Sequence, residues 1–300
     1  MTDAVQEAAV AAHGQRQPTT EHAIRTAVER PGQVGAFNAV EAKGLTVTFE
    51  TSKGSLHALG PIDLSVADGE FLAIVGPSGC GKSTFLRVAA GLRLPREGSL
   101  TLRLQRPANS VVPQATVFQD YGIFPWKTVQ KNVEFGLRIN GVDKKEARDV
   151  ARHWISRLGL DGFASAYPGT LSGGMRQRVS IARALAVSPE ILLMDEPFAA
   201  LDAQLRSLLQ EELLAIHQVE KRTVIFVTHS LDEALILADR VVVMSARPGR
   251  TIAERVVPFP RPRVDVRQHP EFGELHEQLW HDLKTQAQLA ASAEDSGAGS

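Results

Sequence analysis

The stretch Gly76-Pro-Ser-Gly-Cys-Gly-Lys-Ser-Thr84 constrains this chain more than any other, because it fixes what a loop must wrap around. Gly76, Gly81, Lys82 and Ser83 stand at the spacing of a phosphate loop, G-x-x-x-x-G-K-S/T. Glycines let the backbone fold around an anion with no Cβ in the way, so the N–H groups of Gly79, Cys80, Gly81 and on to Thr84 can converge on the β- and γ-phosphates of ATP. Lys82 adds a point charge there, and the Ser83 hydroxyl is placed to ligate Mg²⁺. Such a loop works only between a strand and a helix. Phe71-Leu-Ala-Ile-Val75 reads as a buried strand, and Phe85-Leu-Arg-Val-Ala-Ala90 as a helix ending at Gly91.

The rest of the chain alternates strands and helices, which predicts an α/β fold: a mainly parallel core sheet covered by helices. Ile191 to Met194, Val224 to Val227 and Val241 to Met244 are short apolar runs suited to buried parallel strands, with a helical stretch Gln204 to Glu220 between the first two. Leu45 to Phe49, Ile62 to Val66 and Ser99 to Leu104 suggest an antiparallel β layer. Between about residues 120 and 175 the composition changes to that of an inserted helical subdomain. There Val150, Ala151, Trp154, Ile155 and Leu158 recur at helical spacing behind a possible N-cap, Asp143. The expected division is a disordered tail over residues 1–36, an ATPase domain over 37–260, a helical extension over 261–289 and a second disordered tail over 290–300.

Charge and cysteine content narrow the class. A net charge of −1 and a pI near 6.8 give no footprint for nucleic acid. The one cysteine, Cys80, sits inside the phosphate loop and suits a reducing compartment. It is expected to border the nucleotide, so that a bulky thiol reagent inhibits. No apolar run approaches the roughly 20 residues that cross a bilayer, and the first thirty residues hold Asp3, Glu7, Glu21 and Glu29 without a signal core. The expectation is a soluble, unsecreted chain.

Two further segments carry chemistry. Ile191-Leu-Leu-Met194 would hold Asp195 and Glu196 rigidly at a strand end, Asp195 as a Mg²⁺ ligand through water and Glu196 as general base toward the attacking water. His229 follows the strand Val224 to Val227, at the sheet edge where ligand groups collect in open α/β sheets. Gln119 follows Ala115-Thr-Val-Phe118. Taken singly, His229 and Gln119 read as ordinary polar residues; their order relative to the other motifs gives them weight.

With Leu171-Ser-Gly-Gly-Met-Arg-Gln-Arg178 added, the chain from about Val40 to Pro260 resembles the nucleotide-binding subunits of ABC transporters. That resemblance implies that Ser172, Gly173 and Gly174 bind the γ-phosphate of ATP held by a second copy of the chain, at the N-terminus of a helix. It implies Gln119 as a Mg²⁺-contacting and coupling residue, His229 as the γ-phosphate sensor, Asp202 as the D-loop aspartate and Phe49 as the ring that stacks on adenine. Val117 to Trp126, Asn132 to Gly136, Ala246-Arg-Pro-Gly-Arg250 and Pro270 to Trp280 are similar to the nitrate, sulfonate and taurine importers. Arg103 to Pro113 departs from that pattern, with Arg106-Pro-Ala-Asn109 where a glycine-containing hairpin is expected, and the N-terminal tail is longer than usual. The implied partners are a transmembrane permease and, indirectly, an extracytoplasmic substrate-binding protein, with the chain peripheral on the cytoplasmic membrane face. A cytosolic ABC ATPase acting on DNA or an assembly scaffold is the competing reading; its DNA-repair form is disfavoured by the short interval from Lys82 to Ser172, which leaves no room for a long coiled coil.

Overall fold

The computed structural model describes residues 37–52, 54–104, 113–263 and 265–297. The expected N-terminal tail and the Arg106-Pro-Ala-Asn109 departure lie outside these residues.

Six strands form the central sheet in the order β5 (Gln114–Val117), β6 (Ile191–Asp195), β7 (Thr223–Val227), β3 (Phe71–Val75), β8 (Arg240–Met244) and β9 (Thr251–Val256). All pair in parallel except the edge strand β9, which runs antiparallel to β8. Side chains alternate along a strand, so each strand feeds two cores. Leu72, Ile74, Leu193, Ile225 and Val242 pack on one face with α1 (Lys82–Ala89) and the antiparallel layer. Phe71, Ala73, Met194, Phe226 and Val243 pack on the other against the remaining helices. Burial on both faces is why these strands read as unbroken apolar runs. β9 was not legible in that way: Ile252, Glu254 and Val256 face solvent, so it carries no run.

The antiparallel layer has the order β2-β1-β4, with β1 spanning Asn38–Thr51, β2 Gly54–Ala67 and β4 Glu97–Leu102. Both strands of the first hairpin outrun their expected apolar centres. Glu50 to Thr51 and Gly54 to Ser55 are paired across the hairpin yet exposed, so hydrophobicity does not mark them. β4 begins and ends two residues earlier than expected, because Glu97 already pairs with Thr46 of β1.

The helical insertion contains α2 (Val129–Ile139) and α3 (Lys144–Arg157), packed on α4 (Gly173–Ala186). α4 carries the helical layer beyond the expected limit near 175, since Val179, Ala182 and Leu185 are buried in the shared core. Asp143 caps α3 by accepting from the Lys145 and Glu146 amides at 2.7 and 3.2 Å. α5 (Ala203–Glu220) and α6 (Leu231–Leu237) complete the main body, and α7 (Pro270–Gly297) closes the chain. The helical backbone of α7 runs past residue 289, where a disordered tail is expected. Ala290-Ala-Ser-Ala-Glu294 is rich in the strongest helix former, which outweighs its small-residue composition. Among the described residues no helix is long and apolar enough to cross a membrane.

The segment leading to α7 is anchored by Arg263. Its buried guanidinium donates to the carbonyls of Leu235, Ile236 and Ala238 at the C-terminal end of α6, where helix carbonyls lack partners. Burial, with Arg261 nearby, lowers its pKa to about 10.

One buried titratable group sets an acid limit. His217, on α5, is 4% exposed, its Nε2 lies 3.1 Å from the Gly69 carbonyl, and its ring meets Phe71 edge-on. Burial, helped by Arg261, lowers its pKa from 6.5 to about 4. Between those values the unfolded chain binds a proton that the folded ring refuses, so this contribution is complete above pH 6.5 and is lost as pH falls toward 4. The full shift corresponds to on the order of 3 kcal/mol, at about 1.4 kcal/mol per unit. Urea unfolding followed from pH 7 to pH 4 should show stability falling across this window, and His217→Gln, which keeps a donor but does not titrate, should flatten the slope. An identical slope in the variant would clear His217 of the effect.

Candidate functional site

The loop after β3 folds back on itself before entering α1. Gly81 caps the helix at φ +106°, and a Cβ there would lie 2.9 Å from the Ala58 carbonyl oxygen, so neither the conformation nor the space admits a side chain. Lys82 is buried, with Nζ donating to the carbonyls of Gly76 at 2.8 Å and Pro77 at 3.0 Å. Its charge therefore sits inside the loop it closes. Beside it opens a cleft of about 360 Å³, lined by Gly79, Gly81, Lys82, Ser83 and Thr84 together with Phe49, Gln119 and Glu196. Phe49 is half-buried, and the Arg93 guanidinium lies 3.7 Å from its ring centroid.

The acidic wall comes from the end of β6. The Ser83 hydroxyl donates to Asp195 Oδ1 at 2.9 Å, joining α1 to that strand. Burial raises the Asp195 pKa; the Ser83 bond opposes this, and the neighbouring Glu196 charge adds to it. Two oxygen donors side by side, with Gln119 lining the same cleft, fit Mg²⁺, a hard ion that takes one or two protein carboxylates and fills its shell from phosphates and water. No group of three or more His, Cys, Asp or Glu able to hold a metal occurs among the described residues.

Glu196 adopts φ +47°, unusual for a residue with a side chain, while its amide donates to the Val227 carbonyl at 2.9 Å. The β6–β7 pairing thus continues one residue past the strand and holds the strained backbone. Its Oε2 lies 3.2 Å from His229 Nδ1, and His229 is exposed beyond it. The turn that presents His229 is fixed from below. Thr228 donates to the buried Glu233 at 2.6 Å, and Ser230 caps α6 by accepting from the Glu233 amide. Burial raises the Glu233 pKa, with the Thr228 bond and Arg206 opposing.

Other sequence-predicted residues lie outside the cleft of the same chain. Ser172 is exposed and caps α4, accepting from the Met175 amide at 3.3 Å, with Gly173 and Gly174 opening the helix. Asp202 caps α5 by accepting from Leu205. Gly76 contributes its carbonyl to Lys82 and does not line the cleft.

Cys80 corrects its expectation. Its side chain is 1% exposed and packs into the core beneath the loop with Leu59 and Phe85, so only its backbone is in a position to meet a nucleotide. Burial raises the thiol pKa, against the pull of Lys82, and the protonated, enclosed sulfur is a poor target for a bulky reagent. Loop spacing tells which amides converge but not which way an intervening side chain points.

The chain from Gln119 to Lys127 links the cleft to the helical layer. Gln119 lines the cleft, Tyr121 brings its hydroxyl beside Gly173, and Arg183 of α4 donates to the Gly122 carbonyl at 2.7 Å. The buried Asn132 braces the far end, accepting from the Phe124 amide and donating to the carbonyls of Phe124, Lys127 and Thr128. Phe124 packs on Phe135, whereas Trp126 is 70% exposed. The sequence marks Asn132 only as a polar residue on the apolar side of an amphipathic helix, a signal for a buried bracing role.

Arg247 also lines the cleft, a place that nothing in its local sequence marks. It follows β8, at the same carboxyl edge of the sheet as the other site residues. A larger cleft of about 600 Å³ lies between α5 and residues 262–263 and 265–268 and contains none of the sequence-predicted residues.

Comparison with known proteins agrees with this geometry. The ABC transporter family matches residues 59–199. An uncharacterized ABC transporter ATP-binding protein of Methanocaldococcus jannaschii is 50% identical over 247 residues, covering 82% of this chain and 91% of its own. The nitrate import ATP-binding protein of Synechocystis is 41% identical, covering 80% of this chain and 93% of its own. The dimeric structure of MJ0796, a bacterial ABC transporter cassette, superimposes with a TM-score of 0.67 at 30% identity, over 74% of this chain and all of that one.

Proposed function

The chain belongs to the ABC transporter family of ATP-binding, ATP-hydrolysing subunits, and from that premise we propose that it energises uptake of a small anion such as nitrate, sulfonate or taurine through a membrane permease. The observation that carries this reading is the nearly full-length similarity to a nitrate import subunit. In this reading the chain is peripheral on the cytoplasmic face, and an extracytoplasmic binding protein delivers the solute to the permease.

Two copies act head to tail. Ser172, Gly173 and Gly174 lie outside their own cleft, at the start of α4, which suits them to meet the γ-phosphate bound by the partner. Asp202 belongs to the same contact. The loop amides and Lys82 hold the phosphates, and Phe49 offers the ring face not covered by Arg93 to adenine. Ser83, Gln119 and Asp195 hold Mg²⁺, which when bound neutralises phosphate charge. Glu196 accepts the proton of a water attacking the γ-phosphorus, while His229 orients that carboxylate and senses the γ-phosphate. Gln119 passes the state of the cleft along the Tyr121 loop toward α4 and the exposed Trp126, the face offered to the permease.

Purifying the tagged full chain from detergent-solubilised membranes tests the importer reading. A multi-spanning permease should accompany it. Recovery with a soluble DNA-bound or assembly complex, and no permease, would overturn it.

A further inference from the structure

The geometry points to Arg247 as a second cationic phosphate ligand of the nucleotide cleft, acting beside Lys82 from the turn between β8 and β9. The inference rests on the nucleotide-site reading above.

The guanidinium of Arg247 lies against the phosphate loop, with Nε 3.2 Å and Nη2 3.1 Å from the Gly79 carbonyl oxygen. It is exposed and lines the same cleft as Lys82, Thr84 and Phe49. An arginine carries five N–H donors in a fixed fork, and one carbonyl oxygen does not use them all. A planar cation with spare donors at the lip of a phosphate cleft matches a phosphate oxygen pair in charge and shape.

The turn is built to hold that cation in place. Gly249 donates to the Ala58 carbonyl at 3.2 Å and accepts from the Gly60 amide at 2.8 Å, tying the turn to β2. A Cβ on Gly249 would lie 1.9 Å from the Cys80 carbonyl oxygen, so only glycine lets the turn touch the phosphate loop this closely. Ser245 closes the turn from within, accepting from the Arg250 amide at 3.0 Å and donating to the Pro248 carbonyl at 3.1 Å. From the opposite side Gln286 of α7 accepts from the Ala246 amide at 3.1 Å. The turn that carries Arg247 is thus held through its neighbours' backbone, while the guanidinium keeps N–H donors beyond those that reach the Gly79 carbonyl.

The test is titration of full-length chain with MgATP, read by tryptophan fluorescence, for wild type, Arg247→Ala, Arg247→Lys and Lys82→Ala, with a melting curve of each without nucleotide. Arg247→Ala should raise the Kd and KM for ATP about 10-fold, the scale of one charge-assisted contact at an exposed site. Its kcat should fall by less than its KM rises. Arg247→Lys, which keeps the charge but loses the fork, should recover part of the affinity. A wild-type Kd in Arg247→Ala, while Lys82→Ala loses binding, overturns the inference and leaves the nucleotide site standing; a lowered melting temperature with unchanged Kd likewise reduces Arg247 to a clamp on the loop. If Lys82→Ala also binds as wild type does, the nucleotide site itself falls and this inference with it.

Discussion

Glu196→Gln should retain ATP and lower phosphate release roughly 10²- to 10⁴-fold, the range that general-base catalysis contributes. The change removes the proton acceptor and little else. Gln is isosteric with Glu and keeps an oxygen that His229 Nδ1 can reach, so the 3.2 Å contact survives as a neutral hydrogen bond. The backbone strain at φ +47° is carried by the amide bond to Val227 and not by the carboxylate, so the loop keeps its shape. Burial is the main cause that raises the Asp195 pKa, and removing the negative charge beside it eases the smaller repulsion that adds to the shift. Binding is therefore preserved, and ATP that cannot be hydrolysed holds two copies together. Size-exclusion chromatography with ATP and Mg²⁺ should show a stable dimer, and a phosphate-release assay the loss of turnover. Near-normal hydrolysis would remove Glu196 from the role of base.

The sequence exposed those parts of the site that depend on backbone spacing or on apolar runs. β3 and β6 were legible because both of their faces are buried, and the phosphate loop because its glycines answer to a geometric demand of the anion. Parts set by tertiary direction were not. Cys80 and Gly81 are neighbours, yet one side chain turns into the core and the other position must lack one because Ala58 of β2 approaches from far along the chain. Arg247 lies more than 150 residues from Gly79, and nothing local to either announces their contact. α6 escaped notice for a different reason: at seven residues it is too short to show a period, and its start is signalled only by the Ser230 cap. The pair Glu196 and His229, proposed as base and sensor, falls between these cases. Strand ends predict that both reach the sheet edge, but their mutual contact depends on β6 and β7 being adjacent in the sheet.

Lys82→Ala should fail earlier in the cycle than Glu196→Gln, with ATP affinity reduced about 10- to 100-fold and hydrolysis lost for want of bound substrate. A hydrogen bond to a charged group contributes about 1.5–3 kcal/mol, which converts to that range of affinity. Two effects add at this position. The phosphates lose a positive charge in a site where burial limits screening by water, and the carbonyls of Gly76 and Pro77 lose the ammonium that draws the loop together. The second effect should appear without nucleotide, as a small drop in melting temperature; the first appears only in titration. Lysine is 6% exposed here, so the wider planar head of arginine has no room, and Lys82→Arg should not restore binding. Nucleotide titration at fixed Mg²⁺ separates the cases. Unchanged ATP affinity together with unchanged turnover in Lys82→Ala would contradict the phosphate-loop assignment, since the charge most enclosed by the loop would then have no anion to hold.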